Sequence, residues 1–414
     1  MIEVGEASAR ILRQIRALPA EVVDLGSAAG RVLAERVVAQ ITSPPWDNSS
    51  MDGYAARSAD LSLAPSSPTL EVVATIPAGT LPDRALPSGA AMRIMTGAPI
   101  PEGADSVIRI EDTDGGTDRV TILDLRDLRK NIRRAGEDFR EGEVLFDAGT
   151  ELLPAHLGVL ASAAVKSVLV YRRPRVALIS SGDELLELTD YSTAAAAGKI
   201  VSANSWTLSQ LVRDAGGEPV DLGIAADTPE SLREKLERTE GCDLIITSAG
   251  VSVGDLDHVR SVFAEMGGDL DFWKVKMRPG APMAFGTLRG IPWLGFSGNP
   301  VSAMVSFEVF GRPVIRKMLG HVKLHRALIP VRLAEKVEIA AALTHFLRVT
   351  VTRDEKGYSA RLSGSQSSAV LTAMARANAL LIVPADRKSN SVGTTLNALP
   401  LGDDLQMSHS FEIQ

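Results

Sequence analysis

Cysteine is almost missing from this 414-residue chain, where Cys242 is the only one. That excludes an intrachain disulfide framework and any cysteine-cluster zinc site, and it fits a reducing, cytoplasmic setting. Aromatic residues make up 4%, too few for a surface that stacks nucleic-acid bases. Basic residues are outnumbered, 44 Lys and Arg against 51 Asp and Glu, and the resulting charge of −7 excludes general binding to nucleic acid. Long apolar runs are lacking too: Leu157 to Tyr171 is interrupted by Lys166, and Glu3 and Glu6 stand where a signal peptide would be apolar. No membrane role is expected. Nor are two glycines ever separated by one residue, which excludes a Gly-x-Gly-x-x-Gly dinucleotide fingerprint. Gly198-Lys199 lacks both the upstream glycine and the following Ser or Thr of a P-loop. His321 and His325 have the spacing of metal ligands, but no glutamate lies between them, and the other histidines show no Ser–His–Asp logic.

What is present is a hydrophobic content of 45%, enough for real cores, on a length that suggests two to four domains. Ala7 to Leu18 reads as an amphipathic helix, and a second helical run is expected near Gly26 to Ala39. Ser43-Pro44-Pro45 forces an extended segment. From Asp60 to about Thr150 the short apolar runs Leu70–Ile76, Ser106–Glu111 and Arg119–Leu125 predict a β domain. At Pro174 strands and helices begin to alternate. Strands are expected at Val176–Ile179, Pro219–Ile224, Asp243–Thr247 and Pro292–Phe296, with an extended Phe272–Met277. Helices are expected at Asn204–Ala215, Thr228–Thr239, Val259–Met266 and Val301–Leu319. This alternation predicts a three-layer α/β domain on a mostly parallel sheet. After Gly320 five short strands, Ile329–Glu338, His345–Thr352, Tyr358–Ser363, Ala379–Pro384 and Thr395–Leu401, predict a small β barrel or sandwich. The expected division is 1–172 (helical and extended, with a β domain inserted at about 55–130), 173–322 (α/β) and 323–414 (β).

Ligands of open α/β sheets bind at the carboxyl ends of parallel strands. Three such ends are rich in Gly and Ser: Ser180-Ser181-Gly182-Asp183-Glu184, Thr247 to Asp255 with Gly250, Ser252 and Gly254, and Phe296-Ser297-Gly298-Asn299-Pro300. Small residues let backbone N–H groups approach an anion, so all three suit phosphates. Acidic residues sit beside them: Asp183, Glu184, Asp227, Asp255 and Asp257. Carboxylates next to phosphate loops suit Mg²⁺, although Asp227 before Thr228-Pro229 also fits a helix cap. Lys274, Lys276 and Arg278 alternate, so period-two geometry puts all three on one face, where they can neutralise an anion.

The segment Pro44-Pro-Trp-Asp-Asn-Ser-Ser-Met-Asp-Gly-Tyr-Ala55 closely resembles the N-terminal motif of the MoeA family, the molybdopterin molybdenumtransferases, to which the gephyrin E domain is related. Met95 to Asp105, Asn131 to Asp138, Ser181 to Leu185, Gly250 to Gly254, Phe272 to Lys274 and Ser297 to Ala303 match further motifs in family order. Gly364-Ser-Gln-Ser-Ser368 precedes the Ala379–Pro384 strand as in the family's C-terminal module. The resemblance implies insertion of molybdenum from molybdate into adenylylated molybdopterin, with release of AMP and help from Mg²⁺. It also implies a cytoplasmic homodimer whose active site pairs the α/β domain of one subunit with the N-terminal region of the other. Molybdopterin adenylyltransferase would be the donor upstream, and molybdoenzymes or their chaperones the acceptors. By motif position, the resemblance implies catalytic roles for Asp52, Thr96, Asp138, Glu184, Asp227, Asp257, Lys274 and Arg278, with Glu184, Asp227 and Asp257 as the metal ligands. Ser181, Gly182, Asp183, Gly250, Ser252, Gly254, Ser297, Gly298, Asn299, Pro300, Ser367 and Ser368 are the substrate-binding candidates.

Two departures from the family pattern stand out. The usual Lys-Pro-Gly-Lys-Pro is Arg278-Pro-Gly-Ala281-Pro here, and the usual Pro-Gly-Asn-Pro begins with Ser297. They motivate an alternative, a non-catalytic molybdopterin-binding or scaffold paralogue. Hydrolysis of another nucleotide on the same α/β module is a third reading, and the Asp47–Tyr54 motif speaks against it.

Overall fold

The structure is a computed structural model and describes residues 1–62, 67–193, 198–249 and 262–407. Gly250, Ser252, Gly254, Asp255 and Asp257, all named above as candidates, lie outside the described residues. The chain folds as two units: Val22–Val170, and Met1–Glu21 together with Tyr171–Gln414.

In the Val22–Val170 unit, short strands rich in β-branched and small residues form a five-stranded sheet. Its strands are β1 (Gly53–Ala56), β2 (Thr69–Ile76), β3 (Ala90–Ile94), β4 (Ser106–Arg109) and β5 (Arg119–Thr121), in the order β4-β1-β3-β2-β5. Pairing is antiparallel except between β2 and β3. Tyr54, Leu70, Ala91, Ile108 and Val120 fill one of its cores and Ala55, Ile76, Met92, Ile94 and Val107 another; neighbouring residues of β1, β3 and β4 serve opposite faces, and a register shift between Val72 and Ala74 changes the alternation along β2. A further core joins Leu33, Val37, Phe139, Leu152, Leu160 and Val168. The helix expected near Gly26–Ala39 does not form: Leu25–Ser27 is a single 3-10 turn, and Val37–Val38 pairs with Val144–Phe146. Gly26 and Gly30 interrupt the helical propensity there, and Val32, Leu33 and Val37 are buried as extended chain.

In the second unit the strand–helix alternation produces a six-stranded sheet. It comprises β6 (Arg175–Ser181), β7 (Glu218–Ala225), β8 (Leu244–Ser248), β9 (Gly268–Trp273), β11 (Ala284–Leu288) and β12 (Ile291–Phe296), with β10 (Met277–Arg278) set aside. Its order is β7-β6-β8-β12-β11-β9. The four strands β7, β6, β8 and β12 run parallel, and β11 is antiparallel to both neighbours. Helices cover both faces: Asn204–Asp214 and the helix from Pro300 to Met318 pack on one core, and Pro229–Glu237 on the other. The first helix, Val4–Gln14, buries Ala7 and Ile11 in the former, along with Val314 and Met318. Of the helix expected over Val259–Met266, only the part from Val262 is described. The long helix expected over Val301–Leu319 forms, but residues Phe307–Gly311 widen into a π turn. A buried ion pair coincides with it: Glu308 accepts two 2.8 Å hydrogen bonds from Arg312 and one of 3.2 Å from Arg326.

The C-terminal strands close into a five-stranded barrel of β13 (Ile329–Leu333), β14 (Thr344–Asp354), β15 (Gly357–Leu362), β16 (Ala379–Val383) and β17 (Thr395–Pro400). Closure comes from β14 pairing with both β15 and β16, which leaves the barrel no free edge. Strand β10 adds itself to β14, with Arg278 in register with His345.

Candidate active site

In the Val22–Val170 unit the motif around Asp52 is a hub of local hydrogen bonds. Gly97 N–H donates to Ser49 O (2.8 Å), Ile100 N–H to Asp47 O (2.9 Å) and Ser50 N–H to Asn131 O (2.9 Å), so the three motif segments Pro44–Ala55, Met95–Asp105 and Asn131–Asp138 knit into one surface. Asp47 accepts from Ala135 N–H at 2.8 Å and from Arg134 Nη1 at 2.5 Å, and the first of these holds its carboxyl below the ordinary aspartate range. Asp52 Oδ1 accepts from Thr96 N–H (2.6 Å) and from Thr96 Oγ1–H (2.8 Å). The Thr96 backbone N–H is the main reason its pKa is lowered. Asp52 is thus kept as an exposed carboxylate, with its second oxygen unengaged by any described residue. Asp138 is exposed in the same unit, its N–H donating to Ser43 O at 3.1 Å.

In the second unit the candidate acids meet at the carboxyl ends of the adjacent parallel strands β6 and β7. Asp227 N–H donates to Asp183 Oδ1 (3.1 Å), Asp183 N–H donates to Asp227 Oδ2 (3.3 Å), and Ser181 Oγ–H donates to Asp227 Oδ1 (3.1 Å). Asp227 does not cap the following helix. Thr228 does that, its Oγ1 accepting from Ser231 N–H at 3.2 Å, which leaves the Asp227 carboxylate to bridge the two loops. Glu184 folds back over Gly182, whose φ is +147°. A Cβ at Gly182 would lie 2.3 Å from Glu184 Oε2, a contact the flexible Glu184 side chain can relieve, so it is the backbone conformation that calls for glycine.

The basic segment departs from the expected single face. Lys274 has a φ of +68°, which ends β9 at Trp273; Val275 makes an isolated parallel bridge with Ile2, and the next strand is β10, on the barrel. Lys276 is also committed, its Nζ lying 2.7 Å from Glu3. Lys274, half-buried, and Arg278, exposed, remain as the cations of that segment, and neither has a side-chain hydrogen bond or ion pair among the described residues. Alternation predicts one face only along an unbroken strand, and this strand breaks.

The loop Ser297–Pro300 follows β12, with Gly298 and Asn299 exposed. The barrel loop reaches the start of the same helix, since Val301 N–H donates to Ser368 O at 3.3 Å. That loop is held from inside by Arg348, which is 1% exposed and donates from Nη2 to Ser365 O (3.1 Å) and Ser367 O (3.0 Å). Gln366 returns its side chain to the backbone of Arg348, accepting at 2.9 Å and donating at 3.0 Å. Ser181, Gly182, Asp183, Glu184, Asp227, Ser297 to Pro300, Ser367 and Ser368 are therefore all in the second unit, and Asp52, Thr96 and Asp138 in the first. Sequence reasoning missed Thr228, Arg348 and Asn204, which donates to Gly298 O at 2.8 Å. For Arg348 a signal existed: its neighbours Leu347, Val349 and Val351 fill the barrel while Phe346 joins the α/β core, so Arg348 falls on the face that docks there.

Comparison with known proteins covers almost all of this architecture. Residues 2–164 match the MoeA N-terminal region (domain I and II), residues 177–317 the probable molybdopterin binding domain, and residues 330–401 the MoeA C-terminal region (domain IV). A molybdopterin molybdenumtransferase of Nostoc sp. is 37% identical over 92% of this chain and 88% of its own. The chain belongs to the molybdopterin molybdenumtransferase family. Its relative from Haemophilus influenzae is 34% identical over 97% of this chain and 98% of its own, and molybdopterin molybdenumtransferase 2 of Mycobacterium tuberculosis is 38% identical over 97% and 100%. The crystal structure of the molybdopterin biosynthesis moeA protein from Pyrococcus horikoshii OT3 matches with a TM-score of 0.81 at 28% identity, over 96% of this chain and 100% of that one. In this family member, no helix among the described residues is long and apolar enough to cross a membrane.

Proposed function

We propose that this protein inserts molybdenum from molybdate into adenylylated molybdopterin, releasing AMP and the finished cofactor. The observation that carries the proposal, beyond family membership, is the Ser181–Asp183–Glu184–Asp227 cluster at the mouth of the parallel sheet, beside glycine-rich loops suited to a pyrophosphate. A polyanionic substrate needs charge neutralisation, and Lys274 and Arg278 are the cations left to provide it.

Mg²⁺ belongs to the proposal. The cluster offers hard carboxylate oxygens, the donor set Mg²⁺ prefers, though the described residues alone form no group of three ligating side chains. That fits an ion held by one or two carboxylates and completed by water and substrate phosphates. Glu184 and Asp227 would hold it, with Asp257 as a further ligand, and it would neutralise phosphate charge. Homodimerisation, a cytoplasmic location, donation from molybdopterin adenylyltransferase and delivery to molybdoenzymes or their chaperones complete the reading. The domain limits proposed with it are 1–172, 173–322 and 323–414.

Incubation with adenylylated molybdopterin, molybdate and Mg²⁺ should release AMP in proportion to cofactor formed. Absence of AMP under those conditions refutes the proposal. The substitutions at Ala281 and Ser297 favour a second reading, a paralogue that binds molybdopterin without turnover; tight pterin binding unaffected by Glu184→Ala would support it.

A further inference from the structure

Asn204 lies in none of the loops discussed for the substrate, yet it touches one of them. It opens the helix Asn204–Asp214, is 7% exposed, and donates from Nδ2 to the carbonyl of Gly298 at 2.8 Å, 94 residues away in sequence. The carbonyl of one residue and the N–H of the next belong to one planar trans peptide and point in opposite directions. Fixing the Gly298 carbonyl on Asn204 therefore also fixes the Asn299 N–H, directed away from that helix. Among the described residues the Asn299 N–H meets only Ser297 Oγ, at 3.4 Å, a long contact that an anionic oxygen can replace. The other side of Gly298 is filled: a Cβ there would lie 3.0 Å from the Ala249 Cβ, and Ala249 N–H is tied to Phe296 O at 3.0 Å.

Anchoring the helix does not explain the asparagine. That task falls to buried serines, with Ser202 Oγ 3.5 Å from both Ser205 Oγ and Ser180 Oγ, and Ser248 Oγ 3.3 Å from Ser180 Oγ. Asn204 Oδ1, meanwhile, is buried without a hydrogen-bond partner among the described residues, a desolvation penalty that an apolar residue would avoid.

We propose that Asn204 is a positioning residue that presents the Asn299 N–H to the pyrophosphate of the adenylylated pterin. The inference rests on the reading of Ser297–Pro300 as an anion loop. Its test is calorimetric titration of the full-length protein with inorganic pyrophosphate. Asn204→Asp is nearly isosteric and loses the donor when ionised, but regains one, the carboxyl O–H, when protonated. The expected result is a Kd for pyrophosphate about tenfold above wild type near pH ~8, recovering toward wild type near pH ~5. In turnover, KM for adenylylated molybdopterin should rise by a similar factor while kcat stays within about twofold. A residue with a merely structural role would lower the melting temperature and leave both binding readouts unchanged. Should Asn204→Asp not fold, Asn204→Ser, whose hydroxyl falls short of Gly298, replaces it, with the same weakening expected. Wild-type binding matched within about twofold by the variant overturns the role of Asn204 alone. No pyrophosphate binding by wild type overturns the anion-loop reading and this inference with it.

Discussion

Gly53, directly after Asp52, sits on β1, the strand flanked by β3 and β4, with Ile94 opposite it on one side and Arg109 on the other. Its φ is not in the positive region, so space is what demands glycine there. An alanine Cβ would lie 2.0 Å from Ile108 O and 2.9 Å from Ile108 C and Arg109 Cα, all backbone atoms that cannot rotate away. An ordinary C···O approach is about 3.3 Å, so β1 and β4 must part by about 1.3 Å. Overpacking of that kind costs about 1–3 kcal/mol, and the strained ladder adds about 1–2 kcal/mol. Gly53→Ala should then destabilise the Val22–Val170 unit by about 2–5 kcal/mol, lowering its melting temperature by about 4–20 °C at that size. Gly79→Ala is the control, with φ +81° and nothing within 4 Å of the new Cβ. It carries only the left-handed backbone penalty of about 1–2 kcal/mol. Differential scanning calorimetry on both variants compares steric with conformational cost. Because the Asp52 carbonyl accepts from Ile110 N–H at 3.0 Å, parting the strands also displaces Asp52, and AMP release by folded Gly53→Ala should fall. A Gly53→Ala transition within about 2 °C of wild type, or one less affected than that of Gly79→Ala, refutes the steric argument.

Glu184→Gln and Asp227→Asn should each reduce AMP release at least about 100-fold with little change in melting temperature, since both side chains are exposed; retained turnover removes them from the site. The Asp52 pKa is lowered from 3.8, so its contacts with Thr96 favour the folded state above that pH and are lost as pH falls through the lower folded value. The Thr96 amide resonance should therefore titrate with a midpoint below 3.8, and Asp52→Asn should abolish the titration; a midpoint at or above 3.8 contradicts the geometry. Arg348→Met strips the carbonyls of Ser365 and Ser367 of a donor, about 1–3 kcal/mol each, partly offset by removing a desolvated charge. Hydrogen exchange should quicken at amides 365–368 beyond what the global melting change explains, and uniform protection would contradict that role.

The order of strands and helices was legible because burial imposes periods. The apolar runs at Val176–Ile179 and Asp243–Thr247 are strands buried on both faces, and barrel strands such as Ile329–Leu333 and Thr395–Pro400 carry much of the alternation of a half-buried sheet. Strand β11, Ala284–Leu288, escaped because Gly286 breaks the pattern; a Cβ there would lie 2.3 Å from Asp269 O, so its glycine records close strand approach. The carboxylate cluster was legible as residues but not as a bond pattern. That Thr228 caps the helix and frees Asp227 depends on which of two adjacent side chains reaches Ser231 N–H, and composition does not decide it. The basic row failed for a related reason. One backbone angle, the +68° at Lys274, turns the chain and separates residues that a period of two would align.

That failure alters how an acidic chain can hold a pyrophosphate and an oxyanion. Of the three alternating cations, Lys276 is paired with Glu3, and the position where the family usually carries a second lysine is Ala281. On the proposed function, Lys274 and Arg278 would then be the side-chain charges of that segment left to face the ligand. On that reading much of the anion's hydrogen bonding would fall to backbone N–H groups in the loops that follow β6 and β12 and in the barrel loop at 365–368. Backbone donors carry no net charge and work only when correctly aimed, so the residues that grip the opposite side of those peptides gain weight. Arg348 draws in the carbonyls of Ser365 and Ser367, and Asn204 draws in that of Gly298. In each case a buried polar side chain, itself incompletely satisfied, holds a carbonyl inward while the loop stays exposed. If peptide orientation substitutes for missing lysines here, removing either anchor should harm anion binding more than deleting an exposed cation such as Lys276, and parallel pyrophosphate titrations of the three variants would show which.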